Sequence, residues 1–314
     1  MSFAVNEFQL IYKYFANWSG VGLEPALGIG DDAALVHLDS GRELVVAADT
    51  LVAGRHFPEG ADASQIASRA LRVNLSDLAA MGADPLHYTL CLTLPESDSD
   101  WLEAFAFKLR RESEQFGCSL IGGDTTRGGL CISLQMLGTA KKGSSLKRSA
   151  ALPGDDIWVT GCLGDAAGYT ADGFSAVALA DAFWSPEPRL QYAASAKQYM
   201  HACIDVSDGL VADLGHICSA SDVGADIQLT AIPLSSQLLA LFPDKAQQFA
   251  LSGGDDYELC FTASVDSKAR LQQIAAEQKL QLTKIGNIRS GSGVDCLDDE
   301  GSAITINDAG YCHF

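Results

Sequence analysis

The chain has 314 residues, of which 47% are apolar, and its formal net charge is −19. This length and composition predict two folded domains, while the negative charge argues against nucleic acid or an anionic membrane surface as a partner. No apolar run approaches the ~20 residues of a membrane-spanning helix, and residues 1–10 lack the basic segment of a secretory signal, so we expect a cytoplasmic protein.

The start of the chain predicts a short helix, a glycine-rich turn and a hairpin. Residues 8–18 have helical periodicity, and Gly28-Ile29-Gly30-Asp31-Asp32-Ala33 follows. This segment fits the Gly-x-Gly-x-x-Ala pattern of dinucleotide-binding folds, which requires a helix directly after it. Residues 34–38 and 44–48 instead have the pattern of two hairpin strands. We therefore reject a dinucleotide fold and interpret the glycines as freeing the backbone, so that Asp31 and Asp32 can approach a ligand.

The central feature of the sequence is the helix predicted over residues 61–81, which carries Asp77. Its apolar residues recur at helical period, and a glycine and a proline end it. Asp77 lies between Leu75 and Leu78, where a lone carboxylate would be costly to bury. We therefore expect a metal ion or another cation beside it.

Alternating strands and helices continue through the rest of the chain, on either side of a polar, basic linker at residues 141–154. Further strands are predicted over 87–94, 119–121, 130–137, 156–161, 226–229, 257–262 and 283–288. Further helices are predicted over 100–117, 163–169, 210–219 and 267–277. The helix over 210–219 is expected to be capped by Ser207 or Asp208.

Nine cysteines are present, and none forms a Cys-x-x-Cys pair. Most of them lie in apolar, strand-like runs. We expect small buried hydrophobic residues in a reducing compartment, and neither a zinc site nor a catalytic thiol.

Six sites share one pattern, an acid next to Gly, Ser or Thr at the end of a predicted strand or helix. They are Asp31-Asp32, Asp49, Asp77, Asp124, Asp205-Asp208 and Asp255-Asp256. Gathered carboxylates repel one another unless hard cations lie between them, and oxygen donors without His or Cys favour Mg²⁺ or Ca²⁺ over zinc. Together with glycine-rich turns they indicate nucleotide phosphates, with Arg148 of the linker as the predicted phosphate-binding cation. Walker A and protein-kinase signatures are absent from the sequence.

Six motifs, in order along nearly the whole chain, resemble the thiamine-monophosphate kinase family of the aminoimidazole ribonucleotide synthetase superfamily. They are Gly28-Ile29-Gly30-Asp31-Asp32-Ala33, residues 74–85, Ile121-Gly122-Gly123-Asp124-Thr125, Arg148-Ser149 with Pro153-Gly154-Asp155, Ile204-Asp205-Val206-Ser207-Asp208-Gly209-Leu210, and Ser252-Gly253-Gly254-Asp255-Asp256-Tyr257-Glu258-Leu259. The resemblance implies an α+β fold of two domains. Residues 1–143 would bind ATP and Mg²⁺ and pair with a second subunit into a barrel. Residues 144–314 would form an α/β domain with a mixed sheet that completes the nucleotide and substrate cleft.

The resemblance also implies an activity, ATP-dependent phosphorylation of thiamine monophosphate to thiamine diphosphate by direct, Mg²⁺-assisted in-line transfer in a homodimer. By matching positions, the metal ligands are Asp32, Asp49, Asp77, Asp124, Asp205 and Asp208. Asp77, Asp124 and Asp208 are assigned to catalysis. The ATP contacts are Gly123, Asp124, Arg148 and Ser207, and the thiamine monophosphate contacts are His56 and Asp255.

The chain departs from the family pattern at three places. Ala47-Ala48 stands where the family often has Ser/Thr-Thr, Asp255 where Glu is common, and about Asp308 where an aromatic residue is expected, with Tyr311 nearby. Two alternatives stay open. One is another ATP-dependent member of the superfamily, a purine-pathway synthetase or a selenophosphate-type kinase, although no cysteine precedes Cys91 as the latter would require. The other is a non-catalytic divalent-cation-binding protein.

Overall fold

The computed structural model of the chain describes residues 13–15, 38–304 and 310. The chain divides into two compact units, Met1–Leu78 with Ala83–Gly143, and Ala79–Gly82 with Ser144–Phe314. The motif around Asp32, the positions Asp308 and Tyr311, and all but the last residue of the predicted strand 34–38 lie outside the described residues. The roles assigned to domains 1–143 and 144–314 stay predictions.

The first unit contains a four-stranded sheet and two long helices. Its elements are β1 (Arg42–Val52), α1 (Ala63–Ala80, whose last two residues belong to the second unit), β2 (Asp84–Leu94), α2 (Ser99–Phe116), β3 (Ser119–Arg127) and β4 (Cys131–Lys141). The strand order is β1-β4-β2-β3, with β2 and β3 parallel and the other pairs antiparallel. Both helices agree with the predicted bounds to within two residues. β3 is longer than predicted, because it continues through the Gly-Gly-Asp motif.

Alternating burial in β1 and periodic burial in α1 give the first unit its core. In β1, Val45 and Leu51 are buried while Val46 is 51% exposed, so the strand has one apolar face covered and one uncovered. In α1, Leu75 and Leu78 are completely buried, as the helical periodicity predicts. Their neighbour Asp77 is only partly buried, so its carboxylate is within reach of solvent.

A buried carboxylate on α2, Glu112, connects the two helices of the first unit. It accepts hydrogen bonds from Ser68 Oγ (3.1 Å) and Arg72 Nε (2.7 Å), and Lys108 Nζ lies 2.6 Å from its Oε1. Burial by itself would raise the pKa of Glu112, but these two cations lower it below its usual value. The ionised carboxylate is therefore part of the packing between α1 and α2.

The second unit contains a seven-stranded mixed sheet with helices around it. Its elements are β5 (Asp156–Thr160), α3 (Asp165–Ala171), α4 (Ala180–Trp184), α5 (Leu190–Ala196), β6 (Cys203–Asp205), α6 (Leu210–Ser221), β7 (Gly224–Gln228), α7 (Ser236–Leu241), α8 (Ala246–Ser252), β8 (Leu259–Ala263), α9 (Lys268–Glu277), β9 (Leu282–Arg289), β10 (Val294–Leu297) and β11 (Ala303–Ile304). The strand order is β11-β10-β7-β9-β5-β8-β6, in which β10 and β7 are parallel. The mixed sheet expected for this domain is confirmed.

Two apolar cores lie on the two faces of this sheet. The interior strand β5 is completely buried, and its side chains alternate between the cores: Ile157 and Val159 belong to one, Trp158 to the other. Coverage of both faces leaves the ends of the strands and the loops beyond them as the places where polar groups can meet a ligand.

Most of the described cysteines are buried as predicted, but Cys91, Cys131 and Cys162 are not. Cys118, Cys203, Cys218, Cys260 and Cys296 are buried, and burial raises the pKa of Cys118 to about 12, so its thiol is not a reactive thiolate. Cys91 is exposed on β2 instead of buried. Among the helices of the described residues, none has the length and apolarity needed to span a lipid bilayer.

Candidate functional site

In the first unit, Asn74 of α1 fixes the backbone of β1 at Asp49. The Asp49 N–H donates to Asn74 Oδ1 (3.0 Å), and Asn74 Nδ2 donates to the Ala70 carbonyl (2.9 Å). Burial raises the pKa of Asp49, and the charge of Arg69 partly offsets this effect. The motif at residues 74–85 contains Asn74, but the role of its side chain was not predicted. Its buried amide connects β1 to α1 beside Asp49, one of the predicted metal ligands.

Asp77 lies on the same side of α1 as Asn74. The two residues are three positions apart, so their side chains are neighbours on one helix face. Because Asn74 contacts the backbone of Asp49, this face of α1 is the one directed to β1 at Asp49. Asp77 is also the one partly exposed residue between Leu71 and Ala80. The carboxylate of Asp77 is therefore partly accessible on the helix face that also carries Asn74.

Gly123 and Asp124 lie on β3, which is an edge strand of the described sheet. A Cβ atom at Gly123 would lie 1.8 Å from the Leu90 carbonyl oxygen of β2, and its φ is 148°, so only glycine fits here. Asp124 is exposed and pairs with Cys91, which in turn pairs with Ser133 of β4. Asp124 therefore lies in the same row of the sheet as Thr50, which is the row next to that of Asp49. Strands β4 and β2 lie between β1, which carries Asp49, and β3, which carries Asp124.

His56 follows β1 in a tight turn. The ring atom Nδ1 of His56 accepts a hydrogen bond from the Val52 backbone N–H (3.0 Å). The backbone N–H of His56 donates to the Val52 carbonyl (2.9 Å). An Nδ1 that accepts cannot carry the proton, so the neutral ring is held as the Nε2–H tautomer. The ring orientation is therefore set by the turn itself.

In the second unit, Asp205 ends β6, and the loop from there to α6 carries Ser207 and Asp208 and is held by Asp213. Oδ2 of Asp213 accepts hydrogen bonds from the N–H groups of Ser207 (3.0 Å), Asp208 (3.0 Å) and Gly209 (3.1 Å). The prediction that Ser207 or Asp208 caps α6 was wrong. Gly209 occupies the cap position without a side-chain bond, and the acceptor comes from inside the first turn.

Asp208, Asp213 and His216 offer ligand atoms that all lie within 4.8 Å of one another. Burial raises the pKa of Asp213 to about 7, and the charge of Asp205 contributes to this rise. Sequence analysis missed Asp213 and His216. The available signal was their spacing, since residues 213 and 216 are three apart on a helix that begins just after Asp208.

Asp255 is connected to the same loop by backbone hydrogen bonds. Its N–H donates to the Ser207 carbonyl (2.8 Å), and the Tyr257 N–H donates to the Val206 carbonyl (2.8 Å). The Tyr257 hydroxyl donates to Asp255 Oδ1 (3.1 Å), which orients the carboxylate. The neighbouring Asp256 has a different environment: its Oδ1 accepts from the Gly164 N–H (2.7 Å), and burial raises its pKa.

Arg148 is exposed, and its backbone is fixed from the far end of α6. Ser221 Oγ donates to the Arg148 carbonyl (2.8 Å) and accepts from the Ala151 N–H (3.1 Å). The preceding Lys147 carbonyl accepts from the Cys203 N–H of β6 (3.2 Å). The linker predicted from composition is thus an attached segment where it carries Arg148.

Comparison with known proteins places these residues in a family. The model of the AIR synthase related protein N-terminal domain matches residues 30–140, and the model of the C-terminal domain matches residues 153–298. Thiamine-monophosphate kinase of Escherichia coli (strain K12) is 42% identical over 321 residues, with 99% of each chain covered. This chain belongs to the thiamine-monophosphate kinase family. The resemblance predicted from its motifs is confirmed.

Solved structures of the thiamine-monophosphate kinase family agree with the described fold. The crystal structure of thiamine-monophosphate kinase from Stenotrophomonas maltophilia K279a is 44% identical, with a TM-score of 0.84 over 89% of this chain and 92% of that chain. The structure of AaThiL complexed with AMPPCP and TMP is 29% identical, with a TM-score of 0.78 over 99% of this chain and 97% of that one. These relatives favour the kinase prediction over a purine-pathway synthetase, a selenophosphate-type kinase or a non-catalytic cation-binding protein.

The described structure joins some of the predicted site residues and not others. In the first unit, Asn74 connects α1, which carries Asp77, to the backbone of Asp49, whereas Asp124 lies in the adjacent row of the sheet. In the second, hydrogen bonds join the loop of Ser207 and Asp208 to Asp255. The assigned metal ligands are all carboxylates, which are the donors that Mg²⁺ prefers, so the residues present fit this ion.

Proposed function

We propose that the chain transfers the γ-phosphoryl group of ATP to thiamine monophosphate, releasing ADP and thiamine diphosphate. The observation that carries this proposal is identity of 42% with thiamine-monophosphate kinases over 99% of both chains. The complex of AaThiL with AMPPCP and TMP supports a nucleotide and a thiamine phosphate as the two ligands. Transfer would be direct and in line, so no side chain of the protein would be phosphorylated during the reaction.

We assign Mg²⁺ to the carboxylates of both units. The proposed ligands are Asp32, which lies outside the described residues, and Asp49, Asp77, Asp124, Asp205 and Asp208. When bound, the ions supply charge neutralisation for the phosphate oxygens. Asp77, Asp124 and Asp208 are the proposed catalytic residues, because their carboxylates are not buried and could hold an ion. The partial exposure of Asp77 supports this role.

The ATP contacts proposed for this chain are Gly123, Asp124, Arg148 and Ser207. Arg148 is exposed and its backbone is fixed by Ser221, so its guanidinium can meet phosphate oxygens with limited loss of backbone entropy. Ser207 lies in a loop whose N–H groups converge on one acceptor, which supports a preorganised contact.

The thiamine monophosphate contacts proposed are His56 and Asp255. The ring of His56 is oriented by Val52, and the carboxylate of Asp255 by Tyr257. A carboxylate complements the positive charge of a thiazolium ring, which gives Asp255 a chemical reason to contact this substrate. Its shorter side chain, compared with the common Glu, would require a closer approach.

We also propose a cytoplasmic homodimer whose N-terminal strands pair into a barrel. All the described cysteines are free, which supports a reducing compartment. β1 is an edge strand of the described sheet, and its uncovered face includes Leu44 and Val46, which are 43% and 51% exposed. An apolar edge of this kind needs cover. Sedimentation should give a dimer for wild type and a monomer for Val46→Glu. Leu239→Glu, a control at a residue that is 44% exposed, should stay a dimer. A monomeric wild type at micromolar concentration contradicts the proposal.

One assay tests the activity itself. Purified protein is incubated with ATP, Mg²⁺ and thiamine monophosphate, and thiamine diphosphate and ADP are quantified by chromatography. We expect equal amounts of both products and none in EDTA. ADP formation without thiamine diphosphate, or product formation only with a different acceptor, would exclude thiamine monophosphate as the substrate. In parallel, calorimetry should detect AMPPCP binding with Mg²⁺ and none in EDTA, because the acidic chain repels free nucleotide.

A further inference from the structure

The loop between β6 and α6 has no side-chain cap of the ordinary kind. Gly209 stands at the cap position with a φ of 123°, and neither Ser207 nor Asp208 turns its side chain back onto the helix. Their side chains are thereby left available for ligands. The backbone N–H groups of the loop still need an acceptor, because unpaired buried N–H groups are costly.

Asp213 supplies that acceptor. One of its oxygens, Oδ2, receives the N–H groups of Ser207, Asp208 and Gly209 at 3.0, 3.0 and 3.1 Å, and the residue is 2% exposed. Three consecutive N–H groups can point at one atom in very few backbone conformations. The bond from the Asp255 N–H to the Ser207 carbonyl restricts the loop from its other side.

We propose that Asp213 is a positioning residue for phosphoryl transfer, holding the backbone of residues 207–209 so that Ser207 faces the nucleotide and Asp208 faces the metal. This inference rests on the proposed function and deepens it. Asp213 acts through the two residues that it orients. Residues that orient metal ligands commonly change affinity or activity by about 10- to 100-fold when removed.

Two other roles for Asp213 make different predictions. As a direct metal ligand it would share an ion with Asp208 and His216, whose ligand atoms are within 4.8 Å. The three N–H donors occupy Oδ2 and leave Oδ1 as the oxygen that could bind an ion, so the variants below must separate this role from positioning. As a purely structural residue it would contribute to stability alone.

The test compares Asp213→Ala with Asp213→Asn. The amide oxygen of Asn can take the place of Oδ2 and accept the same three bonds without the charge, whereas Ala leaves the N–H groups without an acceptor. We expect Ala to lower kcat by about 10- to 100-fold and to raise the KM for ATP, with the KM for thiamine monophosphate changed less than twofold. Asn should recover activity to within about fivefold of wild type, at an unchanged Mg²⁺ requirement.

Calorimetric binding of Mg²⁺–AMPPCP to the same proteins gives a readout that does not depend on the phosphoryl acceptor. Affinity should fall with Ala and recover with Asn. The control is Glu112→Gln, which alters a buried carboxylate in the first unit and should lower the melting temperature without changing the KM for ATP.

Two results would overturn the proposal. If Asp213→Ala lowers the melting temperature while the folded protein keeps wild-type kcat and KM, Asp213 is structural. If Asn is as damaging as Ala and both need more Mg²⁺, Asp213 is a metal ligand. A wild type that does not phosphorylate thiamine monophosphate, yet binds Mg²⁺–AMPPCP in an Asp213-dependent way, would refute the proposed function and leave the positioning role standing.

Discussion

Replacing Gly123 by alanine should destabilise the first unit, whereas the same change at Gly122 should not. The added Cβ at Gly123 would lie 1.8 Å from the Leu90 carbonyl oxygen, and contacts under 3.0 Å do not occur at real Cβ atoms. The backbones of β2 and β3 must therefore separate by about 1 Å, which breaks well-formed packing. At Gly122 an added Cβ meets nothing within 4 Å.

The magnitude follows from two costs. A residue other than glycine at a φ of 148° costs about 1–3 kcal/mol in backbone strain, and the forced displacement costs about 1–3 kcal/mol more. A total of about 2–6 kcal/mol is a large part of the stability of a typical domain. Gly122→Ala should stay within about 0.5 kcal/mol of wild type.

Chemical denaturation followed by circular dichroism measures both variants, and ATP kinetics are measured on the folded protein. Gly123→Ala should unfold at a lower denaturant concentration and show a higher KM for ATP, because Asp124 moves together with the displaced strand. Equal midpoints for the two variants would refute the steric argument. A loss of ATP affinity at an unchanged midpoint would mean that Gly123 serves the nucleotide alone.

Four further substitutions test separate parts of the site. Asp77→Asn should lower kcat by about a hundredfold or more at saturating Mg²⁺ with the fold intact, because it removes a charge from the metal shell; near-normal turnover would contradict its role. Arg148→Ala should raise the KM for ATP and leave that for thiamine monophosphate nearly unchanged, and the reverse pattern would refute its assignment to ATP. Ser221→Ala should raise the KM for ATP about fivefold through loss of two hydrogen bonds, while exposed Ser219→Ala, the control on the same helix, should not. Glu112→Gln should destabilise the protein by about 3 kcal/mol in urea denaturation, since it leaves the buried Arg72 without its anion, and an unchanged midpoint would be inconsistent with an ionised carboxylate.

Sequence patterns predicted the regular elements well where side-chain burial determines them. The helix around Asp77 was predicted to within two residues because its buried residues recur at helical period. The short strands Val294–Leu297 and Ala303–Ile304 were not predicted, because their few residues form strands only through pairing with the rest of the sheet.

The assigned acids were visible in the sequence because they recur in short segments that also contain Gly, Ser or Thr. What holds them in place was not visible. Asn74 and Asp213 accept hydrogen bonds from backbone N–H groups. Every residue except proline has such a group, so the neighbouring residue types do not indicate which one is bound. The prediction of a cap from Ser207 or Asp208 was wrong because helix-start statistics describe the ordinary case, whereas here the acceptor is inside the helix and the usual capping residues stay available.

Helix α6 supports the assigned site from both of its ends. Asp213, in its first turn, fixes the loop of Ser207 and Asp208, while Ser221, at its last residue, fixes Arg148. A single inserted or deleted residue between these two anchors would turn one end by about 100° and shift it by about 1.5 Å relative to the other. An insertion or deletion within α6 should therefore be as damaging as a substitution of an individual side chain of the site. A chain of this family with a longer or shorter α6 would have to fix its linker arginine by another contact.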